Sequence, residues 1–281
     1  MAAADVPACQ QVWHETWNEM RARFGLPTVE IGDDEVERVR RRLAHLLATD
    51  PGGSWVADDA GDVVGLAQAL RRDGLWVLSL FGVLARAQGR GLARRLLQAS
   101  LAHARPDDRG LIVSSRDPRA IATYGRAGFA LHPAVTAWGQ VRHPVDRPVG
   151  VRQGGVDDYP LIESVSRTAR GAAHGRADIE LLLEQGLRLL VVDDRGYALV
   201  VPGGRPQLVA ATDEDAARLL VRAALADADA GREVELGWIT AANQWAMDEA
   251  LAAGLELHPV GPVCVRGMGP PAPYLANGML G

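Results

Sequence analysis

Apolar residues recur first at helical and then at strand spacing along the first half of the chain, and the same order returns more faintly in the second half. In the first half the spacing predicts helices near 5–22 and 33–48, strands near 54–59, 62–71 and 75–84, a helix at 89–104, a strand at 110–115, a helix at 118–127, and strands at 129–132 and 135–142. Antiparallel strands followed by strand–helix–strand–helix are typical of a mixed α/β domain.

The second half repeats this order. The pattern predicts strands at 188–193, 196–201 and 206–210, a helix at 213–229, a strand at 233–239, a helix at 242–253 and a closing strand at 255–266. Asp5-Val-Pro and Asp158-Tyr-Pro each lead an amphipathic helix, with the acid as cap and the proline in the first turn. The strand-like segment at 150–153 precedes only the second copy, so the first copy either lacks its opening strand or begins upstream of Met1.

Two prolines and a glycine interrupt the pattern at His143–Gly150, where no apolar periodicity is present. We therefore predict a domain over residues 1–143, a linker at 144–150 and a second domain over 151–281. A length of 281 residues also favours two domains, since a domain has about 150 residues. The predicted fold class is α/β, with a central mixed, mostly antiparallel sheet flanked by helices in each domain.

Composition narrows the class of protein. Apolar residues make up 48% and charged residues 23%, as in ordinary soluble globular proteins. Cys9 and Cys264 form neither a disulfide framework nor a four-ligand zinc site, so we expect a cytoplasmic protein without a metal. The longest apolar run, near Leu75–Ala85, is too short to span a membrane. A net charge of −5 argues against nucleic acid as a partner and is compatible with a cationic substrate.

The stretch with the clearest chemistry is a buried strand that runs through Gly89 and Gly91 directly into a helix. Amides at a helix N-terminus lack intrahelical partners and carry the positive end of the helix dipole, so they favour an anion such as pyrophosphate. Glycine also removes the side chain that would keep phosphate oxygens away. All 30 basic residues are arginines, and Arg90 and Arg94 flank this turn. Phosphates would be met by guanidinium groups and backbone amides alone.

The spacing Gln88-Gly-Arg-Gly91-Leu-Ala93 resembles the Q/R-x-x-G-x-G/A signature of the GCN5-related N-acetyltransferases, with Val83 at the usual strand position. The resemblance implies two tandem acetyltransferase-fold domains and acetyl-CoA as co-substrate, its pyrophosphate on the 88–94 turn. It implies cofactor contacts by Gln88, Gly89, Arg90, Gly91, Ala93 and Arg94. It also implies that backbone amides around Phe81 and Val83 polarise the acetyl carbonyl and hold the pantetheine arm.

A second stretch, Asp117–Phe129, resembles the N-x-x-A-x-x-x-Y-x-x-x-G-F ending of the same family. The resemblance implies that Tyr124 protonates the departing thiolate. A phenol with a pKa of about 10 is suited to this role, and the alternative is that the Tyr124 ring only packs. Asp117 stands where the family commonly has Asn. A cofactor contact is implied there, and an Asp-Pro helix start is the alternative.

The second copy lacks both features. Thr212–Asp215 replaces the glycine loop; Thr212 is a suitable N-cap, and the three carboxylates that follow it would repel a diphosphate. Asn243 keeps the start of the second motif, while Ala250 occupies the tyrosine position. We therefore predict that the second copy binds no cofactor. Three roles stay open for it: burying the open face of the first copy, shaping the acceptor pocket, or forming a homodimer.

The resemblance implies an acetyl-CoA-dependent N-acetyltransferase in which a primary amine of a small molecule or peptide attacks the thioester directly in a ternary complex. No carboxylate lies within 75–84 to act as base, so a water-mediated route or a group from the second domain is expected. The alternatives are a non-catalytic acyl-CoA-binding protein, and an acyltransferase that uses another acyl-CoA or a non-amine acceptor. The proline-rich segment 269–278 should run extended.

Overall fold

The chain forms eight α-helices and twelve β-strands in a computed structural model that describes all 281 residues. Contacts divide it into two compact units, Met1–Arg109 (unit 1) and Gly110–Gly281 (unit 2). Unit 1 contains α1 (Val6–Arg23), α2 (Asp33–Thr49), β1 (Ser54–Asp59), β2 (Asp62–Arg72), β3 (Leu75–Val83) and α3 (Leu92–Leu101).

The strands of unit 1 form an antiparallel meander in which β2 pairs with both β1 and β3. Helices α1 and α2 pack on this sheet through apolar residues such as Cys9, Val12 and Leu43, which are at most 2% exposed. Gly82 in β3 permits a close approach of α1, because a Cβ atom there would lie 2.8 Å from the Thr16 Oγ1 atom. The first helix is therefore held tightly against the last strand of the meander.

The remaining elements belong to unit 2, except that β4 begins at Arg109, the last residue of unit 1. They are β4 (Arg109–Val113), α4 (Pro118–Arg126), β5 (Ala130–Gln140), β6 (Arg152–Gln153), α5 (Tyr159–Arg170), α6 (Arg176–Glu184), β7 (Arg188–Val192), β8 (Gly196–Val201), β9 (Arg205–Ala211), α7 (Glu214–Ala226), β10 (Glu233–Thr240), α8 (Gln244–Ala252), β11 (Glu256–Arg266) and β12 (Tyr274–Leu275). One set of strands has the order β4-β11-β5-β10, and a second sheet has the order β12-β9-β8-β7-β6.

The two sequence repeats are residues 1–143 and 151–281, and in unit 2 each contributes a strand that lies between two strands of the other. Strand β11, from the second half of the sequence, lies between β4 and β5 of the first half, and β5 in turn pairs with β10, all antiparallel. The two central strands are equivalent elements, because Leu131-His132-Pro133 in β5 recurs as Leu257-His258-Pro259 in β11. This pairing explains why contacts group residues 110–143 with the second half. The predicted linker at 144–150 separates the two sequence repeats and not the two compact units, and it stays a prediction.

The structure differs from the predicted elements in three places. Residues 129–132 and 135–142 form one strand, β5, since pairing with β11 continues on both sides of Pro133. Helix α3 begins at Leu92 rather than 89, because Gly89 and Gly91 adopt left-handed backbone conformations that are incompatible with a helix. Helix α6 was not predicted, and its nine residues are too few for a clear periodic signal.

The strand exchange requires a glycine at position 261. A Cβ atom there would lie 2.1 Å from the Ser115 carbonyl oxygen and 2.2 Å from that of Ser114, so backbone would have to shift. We expect Gly261→Ala to lower the free energy of unfolding by about 3 kcal/mol in urea denaturation. Gly237→Ala is the control, because the nearest atom to a Cβ there is 3.9 Å away. Equal stability of the two variants would contradict this account.

Candidate active site

Strand β3 carries a β-bulge just before the residues expected to hold the acetyl group. Gln68 pairs with Leu80 and Ala69 with Leu78, which leaves Ser79 as the extra residue. Arg42 of α2 donates hydrogen bonds to the Ser79 carbonyl and hydroxyl oxygens, both at 3.2 Å. Burial lowers the pKa of Arg42 to about 10, so its side chain still carries a positive charge at neutral pH. The bulge therefore lies next to the half-buried positive charge of Arg42.

Gln88 closes the turn that follows β3. Its side-chain amide donates a hydrogen bond of 2.8 Å to the Val83 carbonyl, five residues earlier. The Leu84 amide is also occupied, since it donates to the Val64 carbonyl at 2.9 Å. The Gln88 side chain thus fixes the loop to the end of β3. This hydrogen bond gives Gln88, the first residue of the glycine motif, a structural role.

Gly89 and Gly91 shape the turn itself. Their φ angles are +77° and +76°, in the left-handed region that favours glycine, and no atom lies within 4 Å of the position that a Cβ atom would take at either residue. The first backbone amide that bonds within α3 is that of Arg95, which donates to the Gly91 carbonyl at 3.2 Å. The amides of the three preceding residues have no intrahelical partner. The turn thus presents free space and helix N-terminal donors together.

The two predicted phosphate-binding arginines have different surroundings. Arg90 pairs with Asp59 at the end of β1, with a shortest N···O distance of 2.6 Å, and about half of each side chain is exposed. Hydrogen bonding to Arg90 lowers the pKa of Asp59. Arg94 lies exposed in the first turn of α3. An incoming anion would share Arg90 with a solvent-screened carboxylate, and Arg94 adds a second exposed positive charge.

Glu19 is a residue near this turn that the sequence did not single out. Both of its carboxylate oxygens lie 3.2 Å from the Ala85 amide, just after β3. Its side chain is exposed, and it follows Thr16, which abuts Gly82, by one helical turn. The 66 positions between Glu19 and Ala85 hide this proximity in the sequence. An accessible carboxylate here can bind a cation or accept a proton.

The second motif lies in unit 2. Tyr124, in α4, is 5% exposed, and its burial raises the pKa of its phenol, with smaller contributions from Cys264 and Asp117. The hydroxyl therefore keeps its proton at neutral pH. Asp117 caps α4, since its carboxylate accepts from the Arg119 amide at 2.9 Å and pairs with the Arg119 guanidinium at 2.6 Å. The cap accounts for Asp117 structurally, and its cofactor contact stays a prediction.

Neither cysteine is placed for covalent catalysis. Cys9 and Cys264 are fully buried, and burial raises the pKa of each thiol to about 12. A raised pKa keeps a thiol protonated at pH 7, and the thiolate is the nucleophilic form. These environments favour direct transfer over an acyl-cysteine intermediate.

The equivalent turn in the second repeat has a different construction. Asp213, and not Thr212 as expected, caps α7: its carboxylate accepts from the Ala216 amide at 3.0 Å and pairs with Arg195 at 2.5 Å. Hydrogen bonding to Arg195 lowers the pKa of Asp213 to about 2. Glu214 and Asp215 add two more carboxylates in the first turn. An anion would meet negative charge at this helix N-terminus.

Solved structures share the fold of the whole chain at low sequence identity. A candidate acetyltransferase from Pyrococcus horikoshii is 17% identical, covers 100% of this chain and 94% of its own, and has a TM-score of 0.76. A GCN5-related N-acetyltransferase from Sphaerobacter thermophilus is 16% identical, with 95% and 93% coverage and a TM-score of 0.58. A tandem GNAT protein from the clavulanic acid biosynthesis pathway is 16% identical, with 96% and 98% coverage and a TM-score of 0.54. No curated protein matches the sequence significantly.

These likenesses define a tandem acetyltransferase fold, as predicted. Residues 11–129 match the model of the acetyltransferase (GNAT) family, and this range contains the glycine turn, Glu19 and Tyr124. The first repeat is thus similar to the GNAT acetyltransferases, a family that uses acetyl-CoA. No helix combines the length and apolarity needed to cross a membrane, and no cluster of three or more His, Cys, Asp or Glu side chains could hold a metal ion.

Proposed function

We propose that this chain is an acetyl-CoA-dependent N-acetyltransferase with one cofactor site, in its first repeat. The turn between β3 and α3 carries the proposal. It combines a bulged strand, a Gln88 side chain that closes the loop, two glycines with positive φ and a helix N-terminus, all within the family match. Each of these features suits the binding of an extended thioester that ends in a diphosphate.

The turn supplies the contacts for the cofactor. The pyrophosphate binds to the amides of residues 89–94, and Arg90 and Arg94 add positive charge. Backbone amides of β3 near Phe81 and Val83 hold the pantetheine arm and the acetyl oxygen. The bulge at Ser79 supports this role, because a bulge changes the direction of the backbone groups that follow it.

Gly91→Glu should abolish cofactor binding. The new side chain adds a carboxylate and a strained φ at the diphosphate position, so we expect the Kd for acetyl-CoA to rise at least 100-fold, or about 2.7 kcal/mol, by calorimetry. Gly231→Glu is the matched control, since Gly231 also has a positive φ (+78°) and open space at its Cβ position. If Gly91→Glu binds acetyl-CoA like Gly231→Glu, the assigned turn is wrong.

Tyr124 acts as the general acid in this proposal. The bound ammonium group first loses a proton to water. The neutral nitrogen then attacks the acetyl carbonyl carbon and gives a second proton to water, the carbon–sulfur bond breaks, and the leaving thiolate takes the phenolic proton of Tyr124. Burial keeps that proton in place, because it raises the pKa of the phenol. The phenolate left behind recovers a proton from solvent before the next turnover.

Tyr124→Phe should reduce kcat by about 100-fold or more and leave the Kd for acetyl-CoA within twofold. Because its pKa is raised, Tyr124 should cause no fall in the wild-type rate below pH 10. Tyr159→Phe is the control, as this second phenol lies in α5 outside the family match. Free coenzyme A release with a panel of amines provides the measurement. Wild-type turnover by Tyr124→Phe would remove Tyr124 from the mechanism.

The acceptor is a primary amine of a small molecule or peptide, and Glu19 supports where it binds. The carboxylate of Glu19 is exposed next to the end of β3, and an ammonium group is attracted to an exposed negative charge. The net charge of −5 also suits a cationic acceptor. We assign Glu19 to recognition of this ammonium group.

Glu19→Gln should raise KM for the amine about tenfold, a loss of about 1.4 kcal/mol, and should leave the Kd for acetyl-CoA unchanged. Glu15→Gln is the control, because Glu15 lies one turn earlier on α1 and faces Arg86 at 3.9 Å. An unchanged KM in Glu19→Gln, or an equal effect in both variants, would refute the assignment.

A second candidate is a non-catalytic acyl-CoA-binding protein. The absence of a carboxylate on β3 favours it, since no residue of that strand can accept the amine proton. Binding of acetyl-CoA without release of coenzyme A over a broad amine panel would select this candidate over the enzyme.

A further inference from the structure

Seven of the last eleven residues, 271–281, are buried, and the other four are partly buried. Tyr274, Leu275, Met279 and Leu280 are at most 3% exposed, although the proline-rich composition predicts only an extended segment. We call residues 271–281 the tail. Its burial requires a groove in the second repeat that receives an extended chain.

Strand β9 forms one wall of this groove. Tyr274 and Leu275 of the tail pair antiparallel with Ala210 and Val209, so the tail covers the outer edge of the sheet. The Ala211 amide also donates to the Pro273 carbonyl at 3.2 Å. By its order in the repeat, β9 is the counterpart of β3, the strand to which we assign the pantetheine arm.

Asn243 holds the tail on the opposite wall, just after β10. Its side-chain amide donates to the Pro271 carbonyl at 2.9 Å, and its oxygen accepts from the Tyr274 amide at 2.9 Å. The same side chain also bonds Thr240 and the Trp245 indole, which uses all of its donors and acceptors. Asn243 is 1% exposed and stands at the first position of the second-repeat motif.

A buried arginine fixes the far end of the tail. Arg170 of α5 is 1% exposed and donates to the Leu280 carbonyl at 2.6 Å and the Gly281 carbonyl at 3.4 Å. The Tyr274 hydroxyl donates to the same Gly281 oxygen and lies 3.1 Å from the His174 Nε2 atom. A buried guanidinium requires such partners, so removing the tail would leave the Nη1 group of Arg170 without acceptors, while Nε and Nη2 would keep those of Ala172 and Ala173.

We propose that the tail is the resident ligand of the second repeat: it occupies the groove on β9 that corresponds to the pantetheine site of the first repeat and closes it to coenzyme A. The equivalence of the grooves rests on the proposed function. The tail provides a barrier to cofactor binding in addition to the carboxylates at the start of α7, because it fills the groove itself. Asn243, which matches the first position of the family's second motif, anchors the tail through its bonds to Pro271 and Tyr274.

Hydrogen exchange of the full chain tests this proposal. We expect the amides of 271–281 to exchange at least about 1,000-fold more slowly than in an unstructured peptide, and at the same rate with saturating coenzyme A. Fast exchange of the tail, or faster exchange when coenzyme A is added, would overturn the proposal. Absence of coenzyme A binding would refute the proposed function and leave tail protection unaffected, so the two failures are distinguishable.

A variant pair tests the anchor. Asn243→Ala should accelerate exchange of 271–275 about tenfold or more, whereas Gln244→Ala, at the exposed neighbouring position, should leave it unchanged. Asn243→Asp keeps an acceptor for the Tyr274 amide and loses the donor to Pro271. Its exchange rate at 271–275 should therefore lie between those of Asn243→Ala and Gln244→Ala. Unchanged tail exchange in Asn243→Ala would overturn the anchor, and the wild-type measurement decides the proposal if that variant does not fold.

Discussion

The positive φ angles of Gly89 and Gly91 are the constraint on which the candidate site depends. This conformation costs a residue with a Cβ atom about 1–2 kcal/mol, and two such residues in one short turn would favour another loop. With glycine at both positions, the chain leaves β3 and enters α3 with its N-terminal amides uncovered. Gln88 adds the bond to Val83 that fixes the loop against the strand. Under the proposed function, this turn has the conformation that an anion requires before any ligand binds.

The second repeat has the same order of strands and helices, with different residues at the turn that precedes its helix α7. Its helix α7 is capped by Asp213, with two further carboxylates in the first turn, where the first repeat has glycines and arginines. The tail pairs with its strand β9. The two repeats remain joined by the exchange of β5 and β11, which gives the second repeat a structural role that does not depend on cofactor binding. We thus propose that the first repeat carries the catalytic site and that the second repeat binds part of its own chain.

Local features of the sequence were sufficient for much of the fold and for the glycine turn. The boundaries of β1 to β3 agree with the predicted ones to within one residue, because apolar periodicity acts over a few residues. The helix after β3 was predicted to begin three residues too early, because periodicity does not report the left-handed conformations of Gly89 and Gly91. Local sequence patterns did not predict contacts between residues that are far apart in the chain. Glu19 comes next to Ala85 only through the packing of α1 on β3, and the buried path of the tail depends on Asn243 and Arg170. The Thr212–Asp213 cap differed by one position because both residues are good caps.

Calorimetric titration of the full chain with acetyl-CoA tests the central claim most directly. A single functional turn at Gln88–Arg94 predicts one bound molecule per chain. Two molecules per chain would mean that the second repeat also has a cofactor site, and no binding would mean that the glycine turn does not hold acetyl-CoA. Either result would contradict the account.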